Sequence, residues 1–413
     1  MERLGVKMSK KKIVVLFVVL LLLTNGITFA ATNIVGLSMG SKVVLNKVDY
    51  EELSELYKEN SKIMMVKDVI DELYLREVNE EDLFEGQIKG MVNALDDPYS
   101  IYMTKSEFES FNVSTEGVYG GIGVIVTPGE DNLITVVSPI EDTPGERAGI
   151  KTGDKILKVN DEEFFADNMD EAVSIMRGEP ETDVILTIMR KDKDGVMDTF
   201  EVSITREIIR LVSVKAGIVD GNLGYIRLTS FDTITADDFS KNLKELELEG
   251  AKGLIIDVRG NPGGLLNISV DIADALLGES TVVYTEDKNG KREYEKSDKA
   301  QTELPLVLLV DGGSASASEI LAGAIKDNNR GLLIGTTTFG KGVVQRIKNL
   351  PDGSGVKITT SEYFSPNGVN IHGIGIDPDV EVELNEDVEN IGMDYLEQDN
   401  QLQKAIEVLR EEI

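Results

Sequence analysis

Residues 306–326 read LVLLVDGGSASASEILAGAIK. Leu306–Val310 is an unbroken apolar run of strand length, which predicts a strand buried on both faces. Asp311-Gly312-Gly313 turns the chain. Ser314–Glu319 then opens a helix that continues from Ile320 to about Lys326 through the small residues Ala322, Gly323 and Ala324. A strand–turn–helix unit of this kind indicates an α/β sheet. Ser316 stands at the junction of turn and helix. A hydroxyl nucleophile presented there has a helix N-terminus behind it to stabilise a developing oxyanion. The same Ser316-Ala317-Ser318-Glu319 spacing reads equally as a capping box, in which the serine satisfies orphan N–H groups. This stretch alone leaves both readings open.

Further along the chain, Leu254–Val258 and Leu332–Ile334 are apolar runs separated by amphipathic segments, so an α/β core is expected over residues 208–384. A serine nucleophile needs a proton acceptor. The chain has 1 histidine, His372, far from Ser316 in sequence. A lysine can take its place if burial lowers its pKa. Thr338-Phe339-Gly340-Lys341-Gly342-Val343-Val344-Gln345 supplies Lys341 between two glycines. Gln345, four residues on, would share its side in a strand or a helix and orient the amine. Asp257-Val258-Arg259-Gly260-Asn261-Pro262-Gly263-Gly264 ends one strand and leads into a helix. Its glycines let backbone N–H groups approach a substrate, so Gly263 or Gly264 is expected to complete an oxyanion hole with Ala317. Neither a Gly-Lys-Ser/Thr nor a G-x-G-x-x-G pattern is present, which argues against a phosphate loop.

The middle of the chain has a different rhythm. From Gly117 to about Arg206 the pattern is short β-type runs punctuated by glycine. Tyr119-Gly120-Gly121-Ile122-Gly123-Val124 opens it, Ala148-Gly149-Ile150-Lys151-Thr152-Gly153-Asp154-Lys155-Ile156-Leu157 follows, and a helix is expected from Met169 to Arg177. These ordered motifs resemble a PDZ domain, placed at residues 115–207. A glycine turn holding out consecutive N–H groups suits a terminal carboxylate, and the next strand offers an edge to which a peptide can add. The expected peptide contacts are Gly120, Gly121, Ile122, Gly123, Val124 and Arg177, the last at the end of the groove helix.

At the N-terminus, Lys7, Lys10, Lys11 and Lys12 precede the apolar run Ile13–Leu23, and small residues follow at Ala30-Ala31. Residues 1–30 therefore read as a signal peptide or an N-terminal membrane anchor, with the rest of the chain exported beyond the cytoplasmic membrane. Residues 31–114 read as a helical region, and 385–413 as an acidic helix running from about Met393 with Leu396, Leu402, Ile406 and Leu409 on one side. Composition narrows the chemistry. With 42 Lys+Arg against 74 Asp+Glu the formal charge is −32, which disfavours nucleic acid as a partner. The absence of cysteine excludes thiol catalysis, disulfides and Cys-ligated metals.

Taken together, Leu95–Ser100, the PDZ segment, Asp257–Gly264, Ser314–Glu319, Phe339–Gln345, Ser365-Pro366 and Gly373–Asp379 resemble the carboxyl-terminal processing peptidases of family S41. The resemblance covers the chain from about residue 60. It implies an α/β, crotonase/ClpP-like peptidase core with the PDZ domain inserted after an N-terminal helical region. It also implies a Ser–Lys endopeptidase cutting extracytoplasmic proteins near their C-termini, without cofactor or metal. On this resemblance Ser316 is the nucleophile, Lys341 the general base and Gln345 its orienting partner. Gly263 or Gly264 and Ala317 form the oxyanion hole. Glu319 reads as a helix-start and charge-pairing residue, and Asp311 stands where the family often has Asn. The implied partners are proteins or peptides with free C-terminal tails and a second copy in a homodimer, with PDZ movement gating the site. The competing expectation is a catalytically silent PDZ adaptor that binds protein C-termini.

Overall fold

A computed structural model describes residues 9–34, 37–39, 42–44, 47–191 and 195–413, with side chains of 30–46 outside the description. The chain divides into two units, Met1–Phe84 and Glu85–Ile413. In the first, helix α1 (Lys10–Ile34) contains a stretch, Lys10–Phe29, long and apolar enough to cross a membrane by length and composition. Helix α2 (Lys47–Leu73) has no buried residue and leaves Leu53, Leu56, Ile63, Val66 and Val69 exposed. Helix α3 (Glu80–Asn93) follows.

Between α3 and the middle segment, the stretch expected as a helical region also contains a strand. Ile101–Met103 forms a strand, β1, that buries Tyr102 and Met103 and pairs with Gly355–Lys357. Three residues are too few to show a period-2 pattern, so only the distant partner reveals this strand. Helix α4 (Lys105–Glu116) has a reciprocal capping box: Glu107 N donates to Thr104 Oγ1 at 3.3 Å and Thr104 N to Glu107 Oε2 at 2.8 Å. Gly117, at φ +72°, stops it.

The middle segment builds β2 (Val118–Gly121), β3 (Val124–Pro128), β4 (Ile134–Pro139), β5 (Lys155–Val159), α5 (Met169–Met176), β6 (Asp183–Lys191), β7 (Met197–Thr205) and β8 (Glu207–Arg210). The antiparallel order is β7-β6-β5-β4-β3, while β2 pairs with β8. Alternate residues Ile134, Val136, Leu186 and Ile188 point into its core with Met176 of α5. β3 ends the path, so its outer edge is unpaired among the described residues.

The core follows as β9 (Val214–Val219), β10 (Leu223–Leu228), α6 (Thr235–Leu248), β11 (Gly253–Asp257), α7 (Leu266–Leu276), β12 (Ser280–Asp287), β13 (Arg292–Ser297), β14 (Leu306–Val310), α8 (Ala317–Asp327), β15 (Gly331–Gly335), β16 (Val343–Asn349), β17 (Gly355–Phe364), β18 (Val380–Glu381) and α9 (Asn400–Glu411). Its main sheet runs β9-β10-β11-β14-β15-β18, parallel except for β9 against β10. Ile256 and Leu308 face α6, α7 and α8; Ile255, Val307 and Leu309 face Leu402, Ala405 and Leu409 of α9. Both faces are covered, which is why the strands read as continuous apolar runs. A second, antiparallel sheet runs β13-β12-β17-β16, with β1 on β17. The last helix is shorter than expected. It starts at Asn400, where Asp399 caps Leu402 N at 2.9 Å, and is preceded by a short 3₁₀ turn at Met393–Tyr395.

Candidate active site

β11 and β14 are adjacent parallel strands, so the turns after their C-terminal ends lie side by side. Hydrogen bonds join the two turns. Asp311 Oδ1 accepts from Gly260 N (2.8 Å) and Gly313 N (2.9 Å). The carboxylate thus satisfies this turn where the family often has Asn. Asn261 O accepts from Ala315 N (3.0 Å) and Ser318 Oγ (2.9 Å), and Ser314 Oγ donates to Val258 O (2.8 Å). This bracing holds Ser316 at φ +55°, ψ −112°, a region that L residues rarely occupy. α8 begins at the next residue, so the serine sits at the helix N-terminus.

The glycines pack against it. A Cβ on Gly263 would lie 2.8 Å from Ser316 Cβ and 2.9 Å from Ala317 N. Their N–H groups are used differently. Gly263 N donates to Asn261 Oδ1 at 2.8 Å, whereas Gly264 N and Ala317 N have no acceptor among the described residues.

Glu319 keeps the helix-start role expected from sequence, but its partners are neutral N–H and O–H donors and not the charge partner also expected. It is 1% exposed and forms no ion pair among the described residues. Its Oε2 accepts from Ser316 N (2.8 Å) and Lys341 N (2.9 Å), and its Oε1 from Thr338 Oγ1 (2.6 Å) and Gly340 N (2.7 Å). One buried carboxylate therefore ties the serine turn to the lysine loop. Tyr363 OH donates to Ser316 O at 3.1 Å from the other side.

Lys341 precedes β16, and a bulge between Val344 and Gln345 interrupts that strand, so the expected common side does not follow from strand spacing. Gln345 Nε2 has Thr359 Oγ1 as its partner, at 3.4 Å. Lys341 Nζ lies over the Tyr99 ring, 4.9 Å from its centroid. No side-chain hydrogen bond joins Lys341 to Ser316 or to Gln345 among the described residues. Burial lowers the Lys341 pKa, and the Lys357 ammonium pushes the same way; the carboxylates of Asp97 and Glu319 oppose them. Asp97 fixes the Tyr99 turn by accepting from Tyr99 N (3.0 Å) and Ser100 Oγ (2.6 Å). His372, remote in sequence, comes close to this loop: its Nδ1 accepts from Gly342 N at 3.3 Å and its ring meets the Tyr99 ring edge-on.

Ser316, Lys341, Gln345, Gly263 and Gly264 all line one cleft of about 470 Å³, with Phe111, Lys357 and Tyr363. Sequence reasoning missed Tyr99, Lys357 and Tyr363. Tyr99 lies within the Leu95–Ser100 motif without being singled out there, and Lys357 and Tyr363 both come from β17, which no site motif marks.

In the middle segment, Gly120 and Gly121 lie in β2, Ile122 and Gly123 form the turn, and Val124 starts β3. Ile122 N and Gly123 N have no acceptor among the described residues, and Gly123 is at φ +71°. The Ile122 side chain is buried in the local core. Arg177 follows α5; its guanidinium donates to Ser110 Oγ of α4 at 3.2 Å and lies 5.5 Å from the Tyr119 ring centroid. It joins α5 to α4, whose Phe111 lines the cleft.

Known proteins match this arrangement. The profile of peptidase family S41 matches residues 222–382, that of a PDZ domain 135–190, and that of the activating protease CtpB N-terminal domain 21–107. The carboxy-terminal-processing protease of Bartonella bacilliformis is 37% identical over 354 residues, covering 84% of this chain and 80% of that one. The chain belongs to peptidase family S41. The carboxy-terminal processing protease CtpA of Bacillus subtilis is 39% identical over 313 residues, covering 75% of this chain and 66% of its own length. A solved photosystem II D1 C-terminal processing protease is 30% identical, with a TM-score of 0.46, covering 78% of this chain and 86% of that one. In this S41 chain the family profile spans both braced turns and the lysine loop, and the PDZ profile begins inside β4 and ends in β6.

Proposed function

We propose that this chain is an extracytoplasmic serine endopeptidase that cleaves proteins near their C-termini by a Ser–Lys mechanism. The observation that carries the reading is Ser316, held at positive φ on a helix N-terminus, in one cleft with a lysine whose pKa burial has lowered. Neutral Lys341 takes the Ser316 hydroxyl proton as Oγ attacks the peptide carbonyl carbon. For this, Nζ must leave the Tyr99 ring face and come within hydrogen-bond reach of Oγ. Gly264 N and Ala317 N hold the tetrahedral oxyanion; Gly263, whose N–H is already donated, shapes the loop instead. The Lys341 ammonium then protonates the departing amine nitrogen as the C–N bond breaks, leaving an acyl-enzyme. Water attacks the ester, its proton passes through Lys341 to Oγ, and the acid is released. Gln345 shares the cleft and assists in orienting the lysine when Nζ moves.

The unpaired edge of β3 and the free N–H groups of Ile122 and Gly123 support the PDZ domain as receiver of a substrate C-terminus that gates the site. The apolar helix α1 supports export or anchoring through the N-terminus, and the exposed apolar residues of α2 support a homodimer. The test is mass spectrometry of residues 31–413 with a flexible protein bearing an apolar C-terminal tail, beside Ser316→Ala and Lys341→Ala. Cleavage near the tail by the wild type alone supports the reading. Equal cleavage by either variant overturns the dyad. Tail binding without cleavage, across several tails, favours the silent adaptor.

A further inference from the structure

Apart from Lys341, the cleft has a second cation, whose charge helps to lower the Lys341 pKa but to which no step above gives a substrate contact. Lys357 projects from β17 into the same space, and among the described residues these two lysines are its only charged lining. No carboxylate lines the cleft, although acids outnumber bases 74 to 42 in the chain. Lys357 forms no ion pair and no side-chain hydrogen bond among the described residues; its one partner is the Phe111 ring, 5.4 Å from Nζ to centroid. Burial lowers its pKa, so its charge is held at a cost. An ammonium in a mostly apolar cleft with three unfilled donors needs an acceptor. The surrounding elements do not supply one: Glu107 of α4 is paired with Lys89, and Asp97 accepts from Ser100 and Tyr99. A bound peptide does bring acceptors, and the strongest for an ammonium is a carboxylate.

We infer that Lys357 is a specificity-determining subsite that holds a carboxylate of the bound peptide inside the catalytic cleft. The inference rests on the cleft being the peptidase site proposed above. The carboxylate has two sources, an acidic side chain near the scissile bond or the free C-terminus of the substrate. The Lys357 subsite is separate from the glycine turn at Ile122 and Gly123, so the two act on the same peptide in addition to one another.

The experiment uses three synthetic peptides of one apolar sequence: one with Glu beside the scissile bond, its Gln counterpart, and the Gln counterpart with an amidated C-terminus. Cleavage is measured with wild type, Lys357→Met and Lys357→Arg. Binding is measured separately on the Ser316→Ala background, with and without Lys357→Met. The wild type is expected to prefer a carboxylate-bearing peptide in kcat/KM by roughly tenfold or more. Lys357→Met removes that preference, read as the ratio of kcat/KM between peptides at a pH above the acid limb of each variant, where the lost charge beside Lys341 no longer changes the neutral fraction, and Lys357→Arg keeps it. A loss confined to the Glu/Gln pair assigns the side chain; one confined to the acid/amide pair assigns the terminus. Any preference that survives Lys357→Met belongs to the PDZ turn. An equal fall for all three peptides, or a preference unchanged by Lys357→Met, overturns the proposal. If the wild type cleaves no peptide, the peptidase reading fails first. The binding arm then still decides the subsite, which is overturned if Lys357→Met leaves all three affinities unchanged.

Discussion

A carboxylate offers about four acceptor positions, and Glu319 fills four from two loops. Replacing it with Gln turns one acceptor into a donor aimed at N–H groups that already point inward. Glu319→Gln is expected to cost about 1–3 kcal/mol of stability, and kcat is expected to fall more than KM rises. Denaturant unfolding and steady-state kinetics check both. Asp and Glu are common at helix starts, so a sequence reading of Glu319 stops at the cap. Lys341 gives a pH prediction. Its pKa is lowered by burial, so the neutral amine that the proposed mechanism needs is present from a lower pH than for a free lysine, and kcat/KM is expected to fall as pH drops through that pKa. The Tyr99 ring face favours the ammonium. Tyr99→Leu is therefore expected to move the acid limb to lower pH, read in a kcat/KM pH profile. A limb that stays in place would mean that the ring contact is absent in solution.

Among the elements, the two turns after β11 and β14 depend on close backbone approach. Gly264 sits at φ +148°, and a Cβ there would meet Phe231 O at 2.2 Å. Gly264→Ala forces this loop away from Ser316 and misplaces the proposed oxyanion donor. Losing one such donor costs about 10²–10³ in kcat; a fall of this size is expected, with the fold retained by circular dichroism. Wild-type turnover in this variant would exclude Gly264 from the oxyanion hole. The bulge in β16 is a second case at this scale. Counting by twos from Lys341 to Gln345 assumes an unbroken strand, but Lys341 lies in the loop and the register shifts before Gln345. Both still face the cleft, because the loop and bulge together re-aim them.

Across the whole molecule, α9 is fixed to the main sheet by a buried cluster. Arg259 donates to Asp257 (2.6 Å) and to Asp399 (2.7 Å), both side chains of the latter pair being 0% exposed. Gln401 Oε1 accepts from Arg259 at 2.9 Å, and Tyr225 OH donates to Asp257 at 2.7 Å. Arg259 leads directly into the Gly260–Gly264 turn, so the C-terminal helix supports the site from behind. Asp399→Ala is expected to destabilise the fold by about 3–5 kcal/mol, the usual cost of removing one partner of a buried pair. Burial raises the Asp399 pKa, but the Arg259 hydrogen bond and charge outweigh it and hold the pKa below the usual carboxylate value. A depressed folded pKa adds stability above the unfolded value of about 3.9, which is lost as pH falls through the folded value. The wild type should thus lose stability below about pH 4 more steeply than Asp399→Ala in urea melts.

Local patterns suffice for the α/β alternation, the PDZ motifs, the serine at the turn and the lysine between glycines, because each is a short-range property. Apolar run length reports burial on two faces, and glycine spacing reports backbone geometry, without reference to the rest of the chain. The strand at Ile101–Met103, the three bonds of Glu319 to Thr338, Gly340 and Lys341, the Tyr99 face beneath Lys341 and the placing of Lys357 have no local signature. Each depends on a partner between about 20 and 260 residues away, and only packing of the two sheets selects that partner. The oxyanion assignment shows the division within a single motif. Sequence offers Gly263 and Gly264 equally, and the side chain of Asn261, folded back onto one of the two amides, leaves the other free.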